Sequence, residues 1–115
     1  MTELNNMINT CCEALSDKKG FDIKILDVTK LSTICDDFII ASGSNKSQLD
    51  ALCDSVEEAM GRAGYIMRNR EGQSASGWIL LDYYDIVVHI FSDEMREFYN
   101  IEHTWRDAVS RNFEK

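Results

Sequence analysis

The sequence predicts an α+β domain, a mixed sheet of about five strands with flanking helices in the order α-β-β-α-β-β-β-α. Three observations predict it. Apolar residues recur at helical spacing from Leu4 to Leu15 and from Leu49 to Met60. Two β-branched and aliphatic runs, Trp78–Tyr83 and Asp85–Phe91, follow one another in the second half. Glycine-containing stops, at Gly20, Gly43-Ser44-Asn45 and Gly64, separate the segments.

The elements follow in order. Thr2 is placed to cap a first helix whose apolar stripe is Leu4, Met7, Ile8, Cys11, Cys12 and Leu15. Lys18 and Lys19 put positive charge at its C-terminal end, and Gly20 stops it. Ile23–Val28 reads as a strand, and Phe38–Ser42 as a second, with a polar connection between them. Asn45 and Gln48 stand at capping-box spacing before a second helix, with Leu49, Leu52, Cys53, Val56 and Met60 on one stripe and Gly64 at its end. Tyr65–Arg68 reads as a short strand and residues 69–77 as a polar loop. After the two clearest strands, Ser92 is a natural N-cap with Asp93 and Glu94 in the first turn. Met95, Phe98 and Tyr99 give that segment an apolar side, and Ile101, Trp105 and Val109 continue it or begin another helix.

A chain of 115 residues fits one domain, and a hydrophobic fraction of 44% supports a real core. The N-terminus lacks a basic stretch followed by an apolar one, so it does not read as a secretory signal. The apolar runs fall far short of the roughly 18 residues that a membrane span needs. Cys11, Cys12, Cys35 and Cys53 form no CxxC pair, and His89 and His103 are near none of them in sequence, so the cysteines read as reduced core thiols and no metal is expected. A formal charge of −8 disfavours direct contact with a phosphate backbone, which needs Lys and Arg to replace counterions. It suits either plain solubility or attraction to a basic protein.

Most of the information lies in WILLDYYDIVVHIF. With Tyr83-Tyr84 as a two-residue hairpin loop, Asp82 faces Asp85, Leu81 faces Ile86, Leu80 faces Val87, Ile79 faces Val88 and Trp78 faces His89. Alternation then puts Ile79, Leu81, Ile86, Val88 and Ile90 on one purely aliphatic face. The other face holds Trp78, Leu80, Val87, His89 and Phe91, fringed by Asp82 and Asp85. Its mixture of aromatic and polar tips suits an interface core that meets a basic partner, and equally a face covered by the C-terminal helices with His89 a hydrogen-bonded core histidine. Tyr-Tyr suits a two-residue loop poorly, because such loops prefer Gly or Asn at φ > 0; a longer loop or a strained Tyr84 are the alternatives.

No catalytic constellation stands out. Gly43-Ser44 between a strand and a helix has the form of a nucleotidyltransferase phosphate turn, but no D-x-D or D-x-E lies on a following strand to hold Mg²⁺. There is no G-x-S-x-G, and GSNKS is not a Walker loop. The chain therefore reads as a non-enzyme without a cofactor, and a divergent nucleotidyltransferase is the remote alternative.

Several motifs together resemble the ribosomal silencing factor (RsfS, or Iojap) family. In order they are Asp36-Asp37-Phe38 before Ala41-Ser42-Gly43, Arg70-Glu71-Gly72, Trp78-Ile79-Leu80-Leu81-Asp82-Tyr83, Asp85-Ile86-Val87-Val88-His89-Ile90-Phe91, Arg96-Glu97-Phe98-Tyr99, Ile101-Glu102 and Trp105. The resemblance runs over about residues 22–108. It implies a nucleotidyltransferase-like α/β fold without the metal-binding carboxylates. It also implies binding to the large ribosomal subunit through ribosomal protein number fourteen, at the face that meets the small subunit. That would block subunit joining and lower translation when nutrients are short; a large-subunit assembly role through the same surface is the alternative.

The family pattern places Trp78, Leu80, Leu81, Asp82 and Tyr83 in the partner-binding region, and the hairpin face adds Asp85 and His89. The register above turns Leu81 inward, at odds with that assignment. Tyr84 departs from the family, which usually has Gly there. The resemblance further implies a homodimer when free. With no transit-like leader, it implies a bacterial, cytoplasmic member.

Overall fold

A computed structural model describes residues 3–114. The expected Thr2 cap lies outside the described residues. The first helix, α1, spans Glu3–Asp17 and buries Met7, Ile8, Cys11, Cys12, Ala14 and Leu15, the stripe that its spacing predicts. Its stop differs in detail from expectation. Lys19 takes the left-handed conformation at φ 67°, while the Gly20 N–H donates to the Leu15 carbonyl at 2.9 Å. Glycine is required at 20 for space: a Cβ there would lie 2.9 Å from the Leu15 oxygen.

Strands β1 (Phe21–Asp27) and β2 (Asp37–Gly43) pair antiparallel, with an irregularity between Phe21 and Lys24 where Asp22 sits at φ 49°. Helix α2, Lys46–Arg62, starts as its capping spacing predicts: the Gln48 N–H donates to Asn45 Oδ1 at 2.8 Å. Gly64 closes it at φ 90°, and the Tyr65 N–H returns to the Met60 carbonyl at 2.9 Å.

The next strand is not Tyr65–Arg68. It is β3, Asn69–Gln73, inside the stretch that reads as a polar loop, and every residue of it is exposed. A short 3₁₀ turn, Ser74–Ser76, leads to β4 (Trp78–Asp82), and β5 follows at Ile86–Ser92. Helices α3 (Asp93–Tyr99) and α4 (Ile101–Thr104) meet at Asn100, which is left-handed at φ 45°. Val109, expected to continue a helix or belong to another, instead begins a sixth strand, β6 (Val109–Asn112), paired antiparallel to β1.

The sheet order is β3-β4-β5-β2-β1-β6; β2 and β5 are parallel and the other pairs antiparallel. Mixed α+β architecture is as the sequence predicts, with six strands in place of about five. Helices α1 and α2 cover one face, where Ile79, Leu81, Ile86, Val88 and Ile90 are all fully buried. The C-terminal segment crosses the other face, where Met95, Ile101, Trp105 and Ala108 pack on Leu26, Ile40, Val87 and Phe91.

The β4–β5 register is two residues away from the one expected. Asp82 pairs with Val87, Leu80 with His89 and Trp78 with Phe91. The loop is displaced by one residue, from Tyr83-Tyr84 to Tyr84-Asp85: the Tyr83 N–H donates to the Ile86 carbonyl at 2.9 Å, the Tyr84 N–H donates to Asp82 Oδ1 at 2.8 Å, and Tyr84 takes φ 72°. Side chains alternate with period two, so a two-residue offset keeps every side chain on its face.

Candidate docking face

The face opposite α1 and α2 is built around Trp78. Its indole stacks on Phe91, with ring centroids 5.1 Å apart, and meets Tyr99 of α3 at 4.5 Å. Its Nε1–H donates to Nδ1 of His89 at 3.2 Å. Phe38 of β2 closes edge-on against both His89 and Trp105, each at 4.9 Å. This is an aromatic cluster of offset and T-shaped contacts, the arrangements that aromatic quadrupoles favour.

The C-terminal segment seals only part of the face. Phe91 is fully buried, and His89 and Val87 nearly so. Burial pushes the His89 imidazole down to about 4, so it is neutral at physiological pH. Trp78 and Leu80 remain partly exposed. Beside them is a cavity of about 220 Å³ lined by Glu71, Gly72, Ser76, Trp78 and Leu80. The wall on the β3 side requires glycine at 72, which sits at φ 86°, where a Cβ would fall 2.1 Å from the Trp78 carbonyl oxygen. The face is thus divided: its centre is core, as the reading with the C-terminal helices as cover has it, and its β3–β4 margin is open.

The residues expected to bind a partner divide into three groups. Trp78, Leu80, Asp82 and Asp85 reach the surface. His89 lies directly beneath Trp78. The side chains of Leu81 and Tyr83 point the other way, into the core under α1 and α2, at 0% and 2% exposure, so in this fold neither offers its side chain to a partner. Asp82 is held by Arg68 through two hydrogen bonds, at 3.0 and 2.8 Å, and the Arg68 guanidinium lies 4.8 Å from the Tyr84 ring centre. Asp85 is exposed.

Sequence reasoning passed over Tyr99, Phe38 and Trp105 as members of this cluster. Tyr99 and Trp105 carry a signal in the RsfS-like motifs, but nothing in local spacing shows that α3 and α4 fold back onto β5.

The Gly43-Ser44 turn is occupied by structural duties. The Ser44 N–H donates to Gln48 Oε1, and Gln48 Nε2 donates to the carbonyls of Lys18 and Lys19 at 3.2 and 2.9 Å, tying α1 to α2. A Cβ at Gly43 would lie 2.8 Å from a Leu49 methyl, so the glycine serves helix packing. A phosphate-binding turn keeps its amides free for the ligand. Among the described residues no group of three or more His, Cys, Asp or Glu side chains is placed to hold a metal ion. Cys11, Cys12, Cys35 and Cys53 are buried, and burial raises their thiols, the last three to about 12, 11 and 12.

The family model described as "Ribosomal silencing factor during starvation" matches residues 1–115. The chain belongs to the ribosomal silencing factor family. It is 36% identical over 103 residues to a ribosomal silencing factor RsfS from Chromobacterium violaceum, covering 90% of this chain and 84% of that one. It is 31% identical to the Bacillus subtilis RsfS, over 90% of this chain and 87% of its relative. The maize chloroplastic protein Iojap is 32% identical over 84% of this chain, which matches 42% of that longer protein. A crystal structure from Chromobacterium violaceum superposes with a TM-score of 0.87 at 36% identity, covering 90% of this chain and 87% of that one. One from Bacillus halodurans gives 0.81 at 26% identity, over 96% and 99%. The α+β silencing-factor fold is therefore shared along nearly the whole chain.

Proposed function

We propose that this chain docks on the large ribosomal subunit through ribosomal protein number fourteen, using the open margin around Trp78 and Leu80, and thereby keeps the small subunit from joining. The observation that carries this reading is that Trp78 and Leu80 stay partly exposed beside a mainly apolar cavity while the centre of their face is sealed. Partly open aromatic and aliphatic anchors next to a pocket are the usual centre of a protein interface. The net charge of −8 favours a basic partner, and the exposed Asp85 and Glu71 at the rim supply local negative charge toward one, while Asp82 is paired with Arg68.

The block needs no chemistry. A body measuring 34 × 33 × 27 Å, seated where two subunits must come into direct contact, holds them apart in any orientation. Lowered translation then follows from occupancy alone.

The test is sedimentation of purified large subunits with the wild-type chain and with Trp78→Ala combined with Leu80→Ala. The double variant should remain folded and fail to comigrate. Comigration at wild-type affinity would show that this margin is not the docking site.

A further inference from the structure

Helix α3 is tied down more firmly than its own burial explains. None of its residues is buried. It is held instead by Arg96, whose side chain is only 11% exposed. The guanidinium donates to the Asp22 carbonyl at 2.7 Å, to Ser42 Oγ at 2.8 Å and to Glu102 Oε1 at 2.8 Å. Glu102 also pairs with Lys24 at 3.3 Å. These bonds reach across the turn at Asn100 and fix α3 and α4 relative to β1 and β2.

What this anchoring presents to solvent is aromatic. Phe98 is 73% exposed and Tyr99 43%. Of the expected apolar side of this helix, Met95 packs inward, Tyr99 leans on Trp78 and Phe91, and Phe98 points away. Phe98 meets Tyr99 edge-on at 5.2 Å, and Tyr99 meets Trp78 at 4.5 Å, so an unbroken row of rings runs from the proposed docking margin onto α3. Exposed acids, Glu94 and Glu97 on α3 and Glu71 across the cavity, accompany the row. Phe98 contributes little to the fold at this exposure, and an exposed aromatic continuous with an interface is a candidate contact.

We infer that Phe98 and Tyr99 form the second half of the docking surface and receive cationic side chains of the same basic ribosomal protein. Arg96 acts as the positioning residue that holds the two rings in line with Trp78. Arginine and lysine lay their stems along such rings and put their charge over the ring faces or on neighbouring carboxylates. The inference rests on the docking reading above and adds the α3 rings to it.

The experiment measures binding of the full chain to salt-washed large subunits and to isolated ribosomal protein number fourteen, for wild type, Phe98→Ala and Trp78→Ala. Phe98→Ala should melt like wild type and bind both targets on the order of tenfold more weakly. Wild-type affinity of Phe98→Ala for both targets overturns the inference. If Trp78→Ala still loses binding in that case, the docking reading stands without its α3 half; if it binds normally too, both fall. Weakening on subunits but not on the isolated protein also overturns the inference, since the rings would then meet ribosomal RNA.

Discussion

Trp78 gives its indole N–H to Nδ1 of His89, so the imidazole proton sits on Nε2, which is buried without an acceptor among the described residues. An orphaned buried donor costs stability, and here the cost lies directly under the indole of the docking margin. Replacing His89 by leucine removes the orphan while keeping bulk. His89→Leu should change stability at neutral pH by less than about 1.5 kcal/mol. Chemical denaturation checks this, and a loss of several kcal/mol would mean that the Trp78–His89 bond matters more than the orphan.

Acid stability carries a second signature of the same histidine. Its imidazole lies near 4 in the fold against about 6.5 unfolded, so the unfolded chain binds the extra proton between those values. Stability from His89 is therefore lost as pH falls from about 6.5 toward 4, by roughly 3 kcal/mol at most. Asp37 works in the opposite sense. Burial, assisted by Asp27 and Asp36 and opposed by Arg111, raises its carboxyl to about 6, so its contribution grows as pH falls through 6. The two should partly cancel in the wild type. Asp37→Asn should steepen the acid loss and His89→Leu should flatten or invert it, as read from melting midpoints between pH 4 and 7.

Gly72 is expected to tolerate no side chain. Alanine there meets both a left-handed φ and the Trp78 carbonyl oxygen at 2.1 Å. Gly72→Ala should cost about 2 kcal/mol or more by pushing β3 away from β4. Because β3 supplies Glu71 and Gly72 to the cavity wall, large-subunit binding should weaken with it. Thermal melting and sedimentation read the two effects separately.

Arg96→Ala is predicted to destabilise by roughly 3 kcal/mol, since it leaves Glu102 and Ser42 short of a partner at a nearly buried site. Arg96→Lys should rescue little of this, because a lysine cannot reach three acceptors in different directions with one planar fork. Comparing the two variants with Glu102→Gln by urea denaturation tests the point. Full rescue by lysine would reduce the network to a simple charge pair.

Much of the fold is legible in the sequence because burial on one face imprints a period. The stripes of α1 and α2 and the aliphatic side of β4 and β5 could be read directly, and the capping of α2 by Asn45 followed from residue types alone. Strands β3 and β6 escaped because they lie at the two sheet edges with every residue exposed. Their pairing is carried by backbone groups, which leave no apolar alternation to read. The hairpin register was two residues off because Tyr84 adopts a conformation that its residue type seldom takes, and the even offset preserved the faces. Cover of the Trp78 face by the C-terminal helices was one of two open readings, but how far it extends was not legible. It depends on Asn100 turning left-handed and on Arg96 reaching Ser42, 54 positions away.

The two outermost strands have a consequence for how this protein behaves when crowded. Each leaves a row of unsatisfied amides and carbonyls along one side, a template onto which another chain can add itself. Asn69, Arg70, Glu71 and Gln73 at one end, and Ser110, Arg111 and Asn112 at the other, keep those templates wet and charged. Exchanging them for valine or isoleucine would leave the interior untouched and turn a discrete particle into a fibre-forming one.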